Sequence, residues 1–193
     1  MEQEYIKGKT FDKTDFALTP LEKGEYEHCT FTSCDFSNSD LSKTSFSDCE
    51  FSGCNLSLVK LSKTVFSGIK FKDCKMLGLH FENCNQFVFT VSFDNCVLNH
   101  SSFYRTKLKK TTFKNSKLQE ADFTECDLSG SVFDQCDLTQ ATFENTILEK
   151  ADIRTSSGYS INPEMNRIRK AKFSLFGVTG LLDKYDIEID MTR

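Results

Sequence analysis

Residues 121–140 read ADFTE-CDLSG-SVFDQ-CDLTQ, four consecutive units of five residues with Phe or Leu at the centre of each. The spacing extends in both directions, since every fifth residue from Phe93 to Ile153 is Phe, Leu or Ile. A small or compact residue, such as Ala121 or Cys126, stands two positions before each centre. Neither a helix nor an ordinary strand has a period of five, so the pattern predicts a repeat architecture.

A second block of the same repeat precedes the first in a different register. Every fifth residue from Phe11 to Phe81 is a large apolar residue, and about two extra residues within Asn83–Ser92 separate the two blocks. Phe recurs there at intervals of 20, and Leu recurs between these positions. This second period predicts a four-sided coil whose turns bond to each other as parallel strands. About seven turns at ~4.8 Å each would form a rod roughly 34 Å long.

All nine cysteines share one phase of this repeat, two positions before a unit's centre. Disulfide or metal ligands would have no reason to occupy only the position that Ser, Thr, Ala and Val fill elsewhere. The phase therefore predicts compact core residues with free thiols. The nine are Cys29, Cys34, Cys49, Cys54, Cys74, Cys84, Cys96, Cys126 and Cys136.

Length and composition point to one soluble domain. The chain has 193 residues and a formal net charge of -4, too small by itself to indicate a nucleic-acid or membrane partner. The first ten residues lack the apolar run of a secretory signal, and no later stretch approaches a membrane span. We therefore expect a cytoplasmic protein that contacts neither nucleic acid directly nor a membrane.

No catalytic or metal-binding pattern is visible. The three histidines, His28, His80 and His100, fall at outward phases of the repeat and lie far apart in sequence. Glycine-rich phosphate loops are absent, and a convex solenoid offers no evident cleft that would desolvate a carboxylate. We expect a protein that is not an enzyme and has no cofactor.

The outward positions carry a banded charge pattern. Six basic residues and no acid lie between Arg105 and Lys117, and the segment 119–152 is strongly acidic. The phase of the repeat places nine acidic residues of this segment on all four sides of the coil. We call them the acidic girdle: Glu120, Asp122, Glu125, Asp127, Asp134, Asp137, Glu144, Glu149 and Asp152. Two interpretations stay open. The banding arises by chance on a polar surface, or the girdle binds a basic, DNA-binding surface of another protein.

The sequence after the repeat predicts a different kind of structure. We divide the chain into an N-terminal cap (1–10), the repeat (11–153) and a final coil with a C-terminal segment (154–193). That segment predicts a short amphipathic helix around Leu181–Tyr185 and a strand at Ile187–Ile189. An open solenoid end needs a cap or a partner, so the segment either caps the coil or joins two copies. The candidate dimerisation residues are Phe176, Leu181, Leu182, Tyr185, Ile187 and Ile189.

Several units match the consensus of a known family. The units CDFSN (34–38), SDLSK (39–43), ADFTE (121–125) and CDLSG (126–130) closely resemble those of the pentapeptide repeat proteins. The resemblance covers about Phe11 to Ile153 and implies an all-β fold, a right-handed quadrilateral β-helix. The segment GLLDKYDIEI (180–189) looks like the dimerising tail of the quinolone-resistance (Qnr type) branch.

The resemblance also carries an expectation about function. Qnr-type proteins are dimers that mimic DNA, bind DNA gyrase and topoisomerase IV, and protect them from fluoroquinolones. The resemblance therefore implies a homodimer whose partner is a type II topoisomerase. Several Qnr proteins carry large projecting loops, which this sequence lacks, and many pentapeptide repeat proteins have no assigned role. The alternative is a structural scaffold or adaptor with no topoisomerase partner.

Overall fold

The repeat winds into a right-handed parallel β-solenoid of about seven turns. The computed structural model describes residues 4–190. Each turn contains four units, so residues 20 apart stack in neighbouring turns, as Phe31 stacks on Phe51 and Tyr26 on Phe46. Main-chain bonds join the turns along the whole rod, for example from the Phe36 N–H to the Asn55 carbonyl oxygen at 2.7 Å. The predicted four-sided coil is thus confirmed.

Strands of three or four residues form on two of the four sides. We name the sides by the central residues of their units: face A follows Phe11, face B Phe16, face C Leu21 and face D Tyr26, each continuing turn by turn. The strands are β1 (Glu4–Lys7), β2 (Thr10–Asp12), β3 (Gly24–Glu27), β4 (Thr30–Thr32), β5 (Ser45–Ser47), β6 (Glu50–Ser52), β7 (Val65–Ser67), β8 (Ile69–Lys72), β9 (Val91–Asp94), β10 (Thr112–Lys114) and β11 (Val132–Asp134).

The two sheets respond differently to the change of register. On face A, seven parallel strands run β2-β4-β6-β8-β9-β10-β11, and β8 pairs with β9 at an offset of 22, as in Ile69 with Val91. On face D, the sheet β1-β3-β5-β7 ends at Ser67, and parallel bridges resume only at Lys107 with Asp127. The two extra residues therefore interrupt face D, while the pairing on the adjacent face A continues.

Columns of aromatic rings fill the core. Phe113 stacks between Phe93 and Phe133, with ring centroids 5.1 and 4.7 Å away, and such stacking runs along face A from Phe11. Rings of face C meet this column edge-on, as Phe123 meets Phe133 at 5.8 Å. Offset stacks and edge-on contacts are the arrangements that the ring quadrupole favours. The repeat's central positions are therefore the core, as the period predicted.

The corners between faces have a left-handed backbone. Two positions after most centres, φ is positive, as at Asn38 (58°), Lys43 (63°) and Gly53 (64°). This conformation suits Gly and Asn best and is uncommon for other residues. Leu58 (φ 59°) is an apolar residue at such a corner and is 59 % exposed. Sequence reasoning did not anticipate the corner conformation, although Gly, Asn and Asp recur at this phase.

Both ends of the rod differ from the sequence-based expectations. Residues 4–7 form β1, which pairs with β3, so this part of the predicted N-terminal cap already belongs to the first coil; residues 1–3 lie outside the described residues. The predicted C-terminal helix is two 3₁₀ helices, Gly177–Leu181 and Asp183–Tyr185. Another short 3₁₀ helix, Phe81–Asn83, lies at the register change.

The predicted strand at Ile187–Ile189 is also wrong for the single chain. Residues 186–190 have no strand assignment, because a strand exists only where a neighbouring backbone pairs with it. The 3₁₀ helices instead close the last coil: the Ile161 N–H donates to the Gly180 carbonyl oxygen at 2.8 Å, and Leu181 packs against the core. Within residues 4–190, no helix is long and apolar enough to cross a membrane.

Candidate partner-binding surfaces

The acidic girdle surrounds the rod on all four sides, as the phase of the repeat predicted. Asp122 and Glu144 lie on face C, Asp127 and Glu149 on face D, Asp134 and Asp152 on face A, and Asp137 on face B. Glu120 and Glu125 occupy left-handed corners, both with φ of 56°. The structure therefore brings these residues into a band of neighbouring coils and not into one stripe.

Four of the girdle's carboxylates are hydrogen-bonded to the main chain. Asp122 Oδ1 accepts the N–H of Thr124 at 2.8 Å, and Asp137 Oδ1 accepts the N–H of Thr139 at 3.0 Å. Asp127 and Asp152 make the same bond to the residue two positions later. Asp favours this local turn because its short side chain reaches the backbone. These aspartates hold the repeat's turns as well as carrying surface charge.

Cations from the preceding coil also neutralise part of the girdle. Arg105 lies 20 residues before Glu125, and its Nε and guanidinium Nη2 donate to the Glu125 carboxylate at 2.7 and 3.1 Å. The hydrogen bond from Arg105 lowers the pKa of Glu125. Lys109 Nζ lies 3.1 Å from Asp127 Oδ2. Since one turn is 20 residues, the basic residues of 105–117 lie one coil before residues 125–137 of the girdle. The sequence spacing contained this relation, but we did not predict it.

The C-terminal side of the girdle is paired as well. Arg167 Nη2 lies 2.7 Å from Glu149 Oε1, and Arg154 Nη2 lies 2.7 Å from Asp152 Oδ2. Hydrogen bonds from Arg154 hold the pKa of Asp152 at about 2. Exposed pairs of this kind contribute little to stability, but they reduce the charge that a partner would meet.

Two exposed girdle residues have no Lys or Arg partner among residues 4–190. Glu144 has no side-chain hydrogen bond or ion pair there. Glu120 lies 3.2 Å from His100 Nδ1, a histidine that is itself exposed. A basic partner would therefore find its least compensated carboxylates at Glu120 and Glu144.

The C-terminal end presents a cluster of exposed apolar side chains. Of the predicted dimerisation residues, Phe176 is 75 % exposed, and Tyr185, Ile187 and Ile189 are also exposed. Leu181 and Leu182 are half-buried, so their contribution to the outer surface is smaller. Exposed apolar residues that sequence reasoning missed enlarge this end: Leu175, Val178 and Met165. Leu175 is the last residue of the final repeat unit, AKFSL (171–175), where most units have a polar residue, and this was the available signal.

The cysteines lie inside the coil and the histidines outside it, as their positions in the repeat predicted. All nine thiols are free and buried. Burial raises the pKa of Cys49 and Cys136 to about 11, so these thiols are protonated at neutral pH. The three histidine side chains are more than half exposed, each beside a glutamate. Across residues 4–190, no cluster of three His, Cys, Asp or Glu side chains is arranged to hold a metal ion.

Comparison with known proteins agrees with this geometry. The family model described as a pentapeptide repeat region matches residues 25–86 and 87–159. The chain belongs to the pentapeptide repeat family. Among curated proteins, none matches this sequence. The pentapeptide repeat solenoid is not a known class of enzyme fold.

Two solved structures of one protein share this fold. A trypsin-treated form of QnrB1, a plasmid-mediated fluoroquinolone resistance protein, has a TM-score of 0.63 and 18 % identity, covering 97 % of this chain and 98 % of that one. A second trypsin-treated QnrB1 structure has a TM-score of 0.59 and 19 % identity, with the same coverage. HetL, a pentapeptide repeat protein involved in heterocyst differentiation regulation from the cyanobacterium Nostoc, has a TM-score of 0.39 and 13 % identity, covering 88 % and 85 %.

Proposed function

We propose that this pentapeptide repeat protein is a non-enzymatic, DNA-mimicking binding protein that engages DNA gyrase or topoisomerase IV and protects it from fluoroquinolones. In this proposal the protein acts in the cytoplasm as a dimer. The two copies join through the cluster of exposed apolar side chains at the C-terminal end. The observation that carries the proposal is the position of the acidic girdle, in the last coils before that apolar end. A dimer joined there would have both girdles near its centre, available to a basic DNA-binding groove.

Dimerisation is tested first, because the rest depends on it. Light scattering should give a mass near twice 22.0 kDa at micromolar concentration. Phe176→Asp should produce monomers by placing a charge in the apolar contact. Leu18→Asp is the matched control, since Leu18 is 82 % exposed at the opposite end of the rod and should leave the dimer intact. A monomeric wild-type chain would refute this part of the proposal.

Topoisomerase binding is tested by supercoiling with purified gyrase and a fluoroquinolone. The wild-type chain should restore supercoiling or inhibit the enzyme, and Glu120→Lys with Glu144→Lys should remove the effect. Asp12→Lys with Glu25→Lys makes the same change of net charge at exposed sites in the first turns and should behave as wild type. No effect of the wild-type chain, even in excess, would favour a scaffold.

A scaffold or adaptor is the second candidate. Its support is the pairing of Arg105 with Glu125 and Lys109 with Asp127, which leaves a surface closer to neutral than the sequence implied. A scaffold needs no net charge, because shape and apolar contacts suffice to bind partners. Equal activity of the two charge-reversal variants in any binding assay would support it.

A further inference from the structure

The N-terminal end of the solenoid leaves two strands without an outer neighbour. β1 (Glu4–Lys7) and β2 (Thr10–Asp12) are the edge strands of the sheets on faces D and A, and no other segment of residues 4–190 pairs with their outer sides. Alternate peptide groups of an edge strand point away from its only neighbour and lack a partner strand. The C-terminal end differs, because the 3₁₀ helices close its last coil.

Strand β1 is held to the coil that follows it. Ile6 pairs with Tyr26 in the parallel register, and both Lys7 and Tyr5 donate hydrogen bonds to the carboxylate of Glu27, at 2.7 Å from Lys7 Nζ. The edge is therefore formed before any partner arrives. A strand that is already ordered loses less conformational entropy on binding than a flexible segment does.

An apolar cavity of about 210 Å³ opens beside this edge, lined by Ile6, Phe11, Leu21 and Tyr26. Phe11 begins the aromatic column of face A, and its ring stacks on Phe31 with centroids 4.8 Å apart. Phe31 is fully buried, whereas Ile6 and Phe11 are half-buried, because no coil precedes them within residues 4–190. An apolar side chain placed in the cavity would continue the column and remove more of this surface from water.

Two carboxyl groups line the same cavity at the start of β1. They belong to Glu4 and Glu22. A hydrogen bond with Glu22 and the repulsion between the two groups raise the pKa of Glu4, and Lys9 opposes this shift more weakly. Neither glutamate makes a salt bridge with Lys or Arg within residues 4–190. A cation brought by a partner would relieve the repulsion of this pair.

We propose that β1 is a docking site for an extended strand of a partner protein, which places an apolar side chain in the cavity and a Lys or Arg beside Glu4 and Glu22. The unpaired peptide groups of the edge supply main-chain hydrogen bonds, and the cavity and the carboxylates supply specificity. A second copy is disfavoured as the occupant, because a two-fold contact between two such ends brings the same carboxylates together. The site goes beyond the proposed function, since it lies at the end of the rod opposite the C-terminal apolar cluster.

Peptide selection tests the site with a defined probe. A phage-displayed library of random linear peptides, selected on the wild-type chain, should enrich sequences that alternate apolar and polar residues and contain Lys or Arg. The best peptide, labelled with a fluorophore, should bind about tenfold or more weakly to Glu4→Gln with Glu22→Gln. Asp48→Asn with Asp73→Asn removes the same charge at exposed left-handed corners of later coils and should bind as wild type. No enriched peptide, or equal affinity for both double variants, would overturn the proposal.

Methylated peptides test the main-chain pairing. Two versions of the selected peptide carry N-methyl groups on alternate amides, one version for each edge of the strand. Methylation of the edge that faces β1 should weaken binding about tenfold more than methylation of the other edge, because only the first removes N–H donors to β1. Equal losses would refute strand addition. Light scattering covers the remaining occupant: a dimer that dissociates on Ile6→Ser would show that the edge joins two copies, which would also overturn the proposal.

Discussion

Truncating Phe133 to alanine tests the stacked core directly. The Phe133 ring is 1 % exposed, lies 4.7 Å from the ring of Phe113 and meets Phe123 edge-on at 5.8 Å. Removing it leaves a cavity in a column whose backbone is held at the strand spacing and cannot collapse. We therefore expect the variant to lose about 3 to 5 kcal/mol of unfolding free energy.

Urea unfolding followed by circular dichroism measures this loss. Phe87→Ala is the matched control, since it removes the same side chain from a position that is 98 % exposed. The control should change the unfolding free energy by less than about 0.5 kcal/mol. If Phe133→Ala loses less than about 1 kcal/mol, the Phe133 ring does not lie in a packed core and the register described here is wrong.

Three further predictions concern the turns, the pH dependence and the thiols. Asp122→Ala should lower the unfolding free energy by about 1 kcal/mol because the Thr124 N–H loses its acceptor, whereas Glu144→Ala should be neutral; equal effects in urea unfolding would contradict this. Asp152 has its pKa lowered from 3.8 to about 2, so its ionised form stabilises the fold above the unfolded pKa, and that contribution disappears as the pH falls through 2. Asp152→Asn should therefore lose less stability than wild type in thermal melts between about pH 4 and pH 2, and identical profiles would refute the assignment. A thiol reagent at neutral pH should react slowly with the folded chain and titrate nine thiols after denaturation without reductant; rapid reaction of the folded chain would show that the cysteines are accessible.

The sequence by itself determined the fold, the core and the place of the interruption. A period of five assigns each residue to the inside or the outside of the coil, so Phe133 and Cys126 could be placed in the core without coordinates. The change of register within Asn83–Ser92 was equally visible, because one shift displaces every later centre. The 20-residue period gave the four sides, and the family resemblance added the right-handed sense of the coil.

Only the tertiary structure decided which charges meet and which residue leaves the core. Whether Arg105 reaches Glu125 depends on the stacking of coils and on side-chain conformation, neither of which a local period describes. The same holds for residues 85–89, where Phe87, Val88 and Phe89 compete for one core position. Packing against Phe66 and Phe81 selects Phe89, and Phe87 is left on the surface. A sequence pattern gives the average preference of each repeat position for the inside or the outside of the coil. Which side chain fills the core in one irregular coil depends on how that coil packs against its neighbours.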